Sequence, residues 1–275
     1  MDTLSHISYR ILIPIKTREA QTLLNTSIIL PVYNHEIMKT ISAEQEIFDA
    51  ILQGIEYCSM HSYQIRYVVN CDDLSIFHFS PASRLLLSKL KLSDIHHLKY
   101  DSFLESIAHD DTKWIREVNL SALHFLKNIP AEEQRLYTLS YNFHLKGYGH
   151  PILVCHRFTP VLPTNEEKLQ WWLGSISLSS YDTPGHIRLN KYGSSSYWKY
   201  SSEEKKWIPK EGIVLSEREI ELIALSAQGL KEEQIAEYLH ISRSLVKFRK
   251  QELFARLKVK CMSKAVLRAM NYRLL

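Results

Sequence analysis

The chain has 275 residues, 45% of them hydrophobic and 23% charged, with a formal net charge of +4. This is the composition of a folded soluble protein with room for two domains. No apolar run approaches the ~20 residues needed to cross a bilayer, and the opening MDTLSHISYR lacks a signal-type core. Cys58, Cys71, Cys155 and Cys261 have no metal-ligand or redox spacing, so neither a disulfide scaffold nor a zinc module is expected, and a reducing, cytoplasmic setting is favoured.

Residues 1–43 read as an N-terminal arm whose apolar patches, ILIPI and IILPVY, are each interrupted by proline. A helix follows, capped by Ser42, with Ile47, Ile51, Ile55 and Cys58 at helical intervals. Residues 64–70 and 74–79 alternate as two strands joined by a tight turn. Three helical stretches come next: one from Pro81, one from Tyr100 to Asp111, and a long one starting at Thr112. The apolar stripe of the last is Trp114/Ile115, Val118, Ala122, Phe125/Leu126 and Ile129. Three more strand candidates span 135–147, 151–162 and 171–181, and the KGYGHP link reverses the chain between the first two. Of Trp171 and Trp172, alternation places one in the core and the other outside. The fold class is α+β over residues 44–181, a five-stranded antiparallel sheet with helices on one face. Residues 182–211, rich in Gly, Ser, Tyr and Lys, read as a linker that wraps one of the domains, because its aromatics argue against disorder.

Charge divides unevenly along the chain. Residues 1–207 carry 21 basic and 22 acidic groups, whereas residues 208–275 carry 13 and 8. Within the tail, residues 240–275 hold ten Lys/Arg against one acid, Glu252. Helices with a cationic end and an apolar seam suit a double-helical polyanion. In residues 212–275, Ser216 and Glu219 form a capping-box pattern ahead of Ile220, Ile223, Ala224 and Ala227, and Gly229 ends that helix. A second helix runs from about Lys231 to Leu239, His240–Ser242 is a turn, and Ser242 caps a third helix reaching about Lys258.

At ~100° per residue, Val246, Leu253 and Leu257 of the third helix form an inner seam. Ser244, Lys247, Phe248 and Gln251 fall on the outer side, where a major groove would meet them. Arg243, Arg249 and Lys250 flank the seam and suit sugar-phosphate oxygens. Phe248 suits a thymine methyl or a protein partner.

This segment resembles the DNA-binding domain of the LuxR/FixJ family of bacterial transcription regulators. The residues that carry the resemblance are Leu215, Arg218, Glu219, Gly229, Ile235, Ala236, Leu239, Ser242, Val246, Lys247 and Leu257. The resemblance implies a four-helix domain with its third helix in the major groove and its last helix, about Ser263 to Tyr272, used in dimer contacts. Leu245, Arg249 and Lys258 depart from the threonine, histidine and glycine usual in the family. The last departure points to a helix that ends differently or runs longer. The order strand, strand, helices, long helix, three strands resembles a PAS sensor domain, and IAHDDTKWI (107–115) resembles the segment that opens its long helix. That resemblance implies a small-molecule pocket or a dimer module, but no particular cofactor. His109, Asp110, Asp111 and the pair Cys155–His156 complete no metal-ligand set.

The expected function is a sequence-specific, double-stranded-DNA-binding transcription regulator, a homodimer controlled by or dimerised through the PAS-like domain. The alternative is a protein-binding adaptor anchored by Phe248. No nucleophile elbow, phosphate-binding glycine loop or paired catalytic carboxylates support an enzyme.

Overall fold

The computed structural model describes residues 46, 49–62, 64–70, 74–79, 99–146, 150–163 and 169–274. The N-terminal arm, the Ser42 cap and the short helix expected from Pro81 lie outside them. A helix covers residues 49–60 and buries Ile55 and Ser59, whose hydroxyl donates to Ile55 O at 2.6 Å. Cys58, expected on the buried stripe, is exposed. The inward face is turned one residue toward Ser59, whose polar group is satisfied within the helix.

All five expected strands form: β1 (Ile65–Asn70), β2 (Ile76–Phe79), β3 (Tyr137–Leu145), β4 (Ile152–Pro163) and β5 (Leu169–Leu178). Between β2 and β3 lie α1 (Tyr100–Leu104), α2 (His109–Leu126) and α3 (Ala131–Gln134). Tyr100–Asp111, expected as one helical stretch, is two pieces. The chain turns over Glu105–Ala108, where Ile107 bridges to Leu145 and Ala108 N donates to His144 O at 2.8 Å. The second half then joins the long helix. Asp111 has a structural task there: its buried carboxylate accepts from His144 N at 2.7 Å and from the Trp114 indole at 3.2 Å, tying α2 to β3.

The strands pair antiparallel in the order β2-β1-β5-β4-β3, the PAS arrangement, and the sheet does not stop there. Residues 182–211 are not a linker: they supply β6 (Gly185–Lys191), β7 (Tyr197–Ser201) and β8 (Lys206–Lys210), which continue the sheet beyond β3. The reason is apolar. Ile187, Leu189 and Tyr200 are buried, while Trp198 and Trp207 pack edge-on against Phe125 of α2, with centroids 5.4 and 6.0 Å away. Trp207 Nε1 donates to Ser121 Oγ and Tyr200 OH to Glu117 Oε1, so both aromatic residues find polar partners on the same helix.

The core lies between the sheet and α2. Ile115, Val118, Ala122 and Leu126 form the buried stripe, with Trp114, Phe125 and Ile129 at its margins. Each fully buried aliphatic side chain of this kind contributes about 1.5–3 kcal/mol. Trp172 is in the core, edge-on to Phe158, and Trp171 faces the other way and is half-buried. Gly174 lies opposite Tyr67 in register, and a Cβ there would come within 2.3 Å of the Tyr67 ring. The missing side chain makes room for that phenol.

The carboxy-terminal module has α4 (Glu217–Ala227), α5 (Glu232–Tyr238), α6 (Arg243–Leu257) and α7 (Met262–Asn271), with its own core of Leu222, Ile223, Leu225, Ile235, Val246, Leu253, Leu257, Ala265 and Ala269. On α4 the expected face is rotated. Ala224 and Ala227 are exposed, because Leu222 and Leu225 offer more apolar surface to bury. No helix among the described residues is long and apolar enough to cross a membrane.

Candidate nucleic-acid interface

The module is built at its ends by caps. Glu219 Oε2 accepts from Ser216 N and Oγ, both at 2.8 Å, completing the capping box that starts α4. Arg256 pairs with the same Glu219 and donates to Val214 O at 2.8 Å, fastening the far end of α6 to the entry of α4. Hydrogen bonds to Ser216 and the Arg256 guanidinium hold the Glu219 carboxyl below its ordinary range against the opposing effect of partial burial, the largest single influence on it. The α5–α6 turn is made by His240 in a left-handed conformation (φ 52°), with Ile241 N donating back to Ala236 O at 2.9 Å. Ser242 then caps α6, its hydroxyl accepting from Leu245 N at 3.2 Å.

On α6 the geometry matches the helical wheel. Val246, Leu253 and Leu257 are buried, and Ser244, Lys247, Phe248 and Gln251 are all exposed. Phe248 keeps 54% of its surface in solvent. Of the flanking cations, Arg243 pairs with Glu233 at 2.8 Å and Lys250 lies 3.7 Å from Glu232, so both rest on acids of α5. The Arg243–Glu233 pair is exposed, holds by only about 0.2–1 kcal/mol and yields readily to a better anion, whereas Lys250 and Glu232 are both partly buried. Arg249 is half-buried in an open cleft that it shares with Arg218, Arg256, Glu219 and Glu252. Among the described residues, Arg218, Lys247 and Arg249 make no ion pair.

Arg218, which the sequence offers as part of the family resemblance and not as a DNA contact, joins this cleft. It sits on α4, far from α6 along the chain, and only the packing of the two helices brings it into the same cleft as Arg249. Lys258 is a correction. It adopts the left-handed exit itself (φ 53°, ψ 48°), so α6 ends at Leu257 and is not lengthened by the lack of glycine. Among the described residues no three potential metal-ligating side chains converge.

The chain thus joins a capped helix-turn-helix, whose third helix is exposed and cationic, to a PAS-like antiparallel sheet. Residues 213–269 match the family described as bacterial regulatory proteins, luxR family. The carboxy-terminal module is therefore a luxR-family domain, and the match covers that module alone. No curated protein matches the sequence.

Solved structures resemble the chain distantly. A phage VqmA in complex with DPO is 10% identical with a TM-score of 0.33, covering 84% of this chain and 93% of that one. VqmA of Vibrio cholerae in a ligand–DNA complex is 14% identical with a TM-score of 0.27, covering 74% and 82%. The N-terminal domain of a diguanylate cyclase with a PAS/PAC sensor from Marinobacter aquaeolei is 10% identical with a TM-score of 0.32, covering 42% and 93%. The class of the front domain rests on its own strand order.

Proposed function

We propose that the chain is a dimeric, sequence-specific regulator of transcription that acts in the cytoplasm and places α6 in the major groove. Ser244, Lys247, Phe248 and Gln251 face base edges, while Arg243, Arg249 and Lys250, joined by Arg218, take backbone phosphates. One observation carries this reading. A helix with three buried seam residues leaves its opposite, lysine-bearing side open to solvent. Selection from a randomised duplex pool tests it, and a motif with two-fold-related half-sites is expected. Lys247→Ala should change base preference at one position by about 1–3 kcal/mol. Arg249→Ala should weaken all sequences alike and lower the salt slope by about 1. Failure to retain any duplex at low salt rejects the reading in favour of an adaptor anchored by Phe248.

In the front domain the same proposal assigns control to a small, uncharged ligand that accepts hydrogen bonds. Its support is a pair of buried donors. Burial pushes the Tyr67 phenol well above its ordinary pKa and keeps it protonated 2.6 Å from His156 Nε2; with the hydroxyl as donor the ring proton sits on Nδ1. His156 Nδ1 and Trp172 Nε1 are both buried with no hydrogen-bond partner among the described residues, and both rings pack edge-on against Phe158. Two such donors facing one aromatic core suit a guest with acceptors. Native mass spectrometry of the purified protein should show an adduct that His156→Phe loses. An adduct retained by that variant, or none in either protein, removes His156 from the ligand site.

A further inference from the structure

The outward side of α7 lies on the outer face of the sheet, and polar contacts join the two. Arg157 Nη2 on β4 donates to Asn271 O at 2.7 Å and Oδ1 at 2.9 Å, and Asn271 Nδ2 donates to Leu178 O at 3.1 Å. Lys264 pairs with Asp182, and the Arg188 guanidinium lies 4.4 Å from the centroid of Tyr272. At the centre is Arg268, a cation with only 5% of its surface exposed. Its Nε donates to Ser180 Oγ at 3.1 Å and its Nη2 to Ser180 O at 3.0 Å, just beyond the end of β5. Its Nη1 donates to Leu257 O and, at 3.2 Å, to Lys258 O. The guanidinium lies 3.7 Å from the centroid of Tyr181.

Leu257 and Lys258 are the last residue of α6 and its left-handed exit. Their carbonyls belong to the set that a helix C-terminus leaves without internal partners. One planar fork therefore holds the end of the recognition helix to the end of a sheet strand. A lysine, with one point of charge, cannot reproduce that span. With α7 docked in this way, Ser244, Lys247, Phe248 and Gln251 remain exposed, so the contact presents the recognition side and does not cover it.

We propose that Arg268 is a positioning residue for DNA binding: it fixes α6 to the sheet of the front domain, so that the two modules meet DNA as one body and a shift in the sheet is passed to the recognition helix. The proposal rests on the DNA-binding reading above.

The test uses full-length protein carrying Arg268→Lys or Arg157→Gln, the second lying outside the helical module and leaving its fold alone. The probes are duplexes bearing the motif selected by the wild type, either as one half-site or as two half-sites with spacing varied by single base pairs. Both variants should bind the single half-site within about twofold of wild type, because they leave the recognition side intact. Both should bind the best-spaced pair about tenfold more weakly, with a flatter preference among spacings. Hydrogen exchange at residues 258–260 should quicken in both. Three results overturn the proposal: paired-site affinity unchanged, paired-site affinity raised (a clamp holding the module off DNA), or equal weakening on both duplexes. If Arg268→Lys does not fold, Arg157→Gln carries the same comparison. If the wild type binds no duplex, the DNA-binding reading falls, and exchange at residues 258–260 still decides whether Arg268 and Arg157 couple the two modules.

Discussion

His156 shows how much one side chain in the front domain is asked to do. It has no solvent exposure, shares a 2.6 Å hydrogen bond with Tyr67 and sits among the rings of Tyr141, Phe143 and Phe158. Burial, helped by the nearby Arg157 charge, pushes its pKa down to about 3 from the ordinary 6.5. Between those values the unfolded chain binds a proton that the folded chain refuses. The stability tied to a neutral His156 is therefore fully present above pH 6.5 and is lost progressively as pH falls toward 3. The slope is about 1.4 kcal/mol per pH unit. His156→Phe should flatten the dependence of the urea midpoint on pH between 6.5 and 4.5. At pH 7 the same variant should cost about 1–3 kcal/mol, because the Tyr67 hydroxyl loses its partner. Identical slopes in the two proteins would place the acid sensitivity elsewhere.

At the level of elements, the pattern of side chains was a good guide wherever one face clearly outweighed the other. The seam of α6 and the stripe of α2 were legible because Val246, Leu253 and Leu257, or Ile115, Val118 and Ala122, recur at the period of a helix. On α4 two apolar faces compete, and the alanines lost to Leu222 and Leu225 for want of area. The exit of α6 depends on a residue in another helix. Lysine in a left-handed conformation costs about 1–2 kcal/mol relative to glycine. Arg268 offsets this by capping the carbonyls of Leu257 and Lys258. Lys258→Gly should accordingly raise stability by about 1 kcal/mol, read as a higher thermal midpoint, without altering DNA affinity. A lower midpoint would show that the lysine side chain makes a contact of its own. On the sheet, Gly174→Ala should destabilise by more than 1 kcal/mol in the same measurement, because its Cβ collides with a fully buried phenol.

At the level of the whole molecule, charge and shape divide the work. The nearly neutral front domain adds little long-range attraction for DNA, whereas residues 240–275 concentrate ten cations. If Arg218, Arg243, Arg249 and Lys250 of each copy in a dimer neutralise a phosphate, log affinity should fall with log salt at a slope of about −7. A slope near −4 would mean that Arg243 and Lys250 stay with the glutamates they pair with in the free protein and that only Arg218 and Arg249 take phosphates. The last helix brings a second consequence of architecture. The resemblance assigns α7 to dimer contacts, yet here Arg268, Asn271 and Tyr272 face the chain's own sheet. That side of α7 is therefore taken up within the chain in this arrangement.

The sequence by itself determined the parts that depend on neighbours along the chain. These are the capping box at Ser216 and Glu219, the turn before Ser242, the seam of α6, the alternating strands and the cationic tail. Local geometry and charge are fixed within a few turns of backbone, so they can be read one segment at a time. Only the tertiary structure decided that residues 182–211 extend the sheet, that Arg218 shares a cleft with Arg249, and that Arg268 bridges the end of α6 and the segment after β5. Each of these joins residues distant in sequence. A buried aromatic on a Gly/Ser-rich stretch, or a buried arginine, takes its meaning from the partner that packing brings to it.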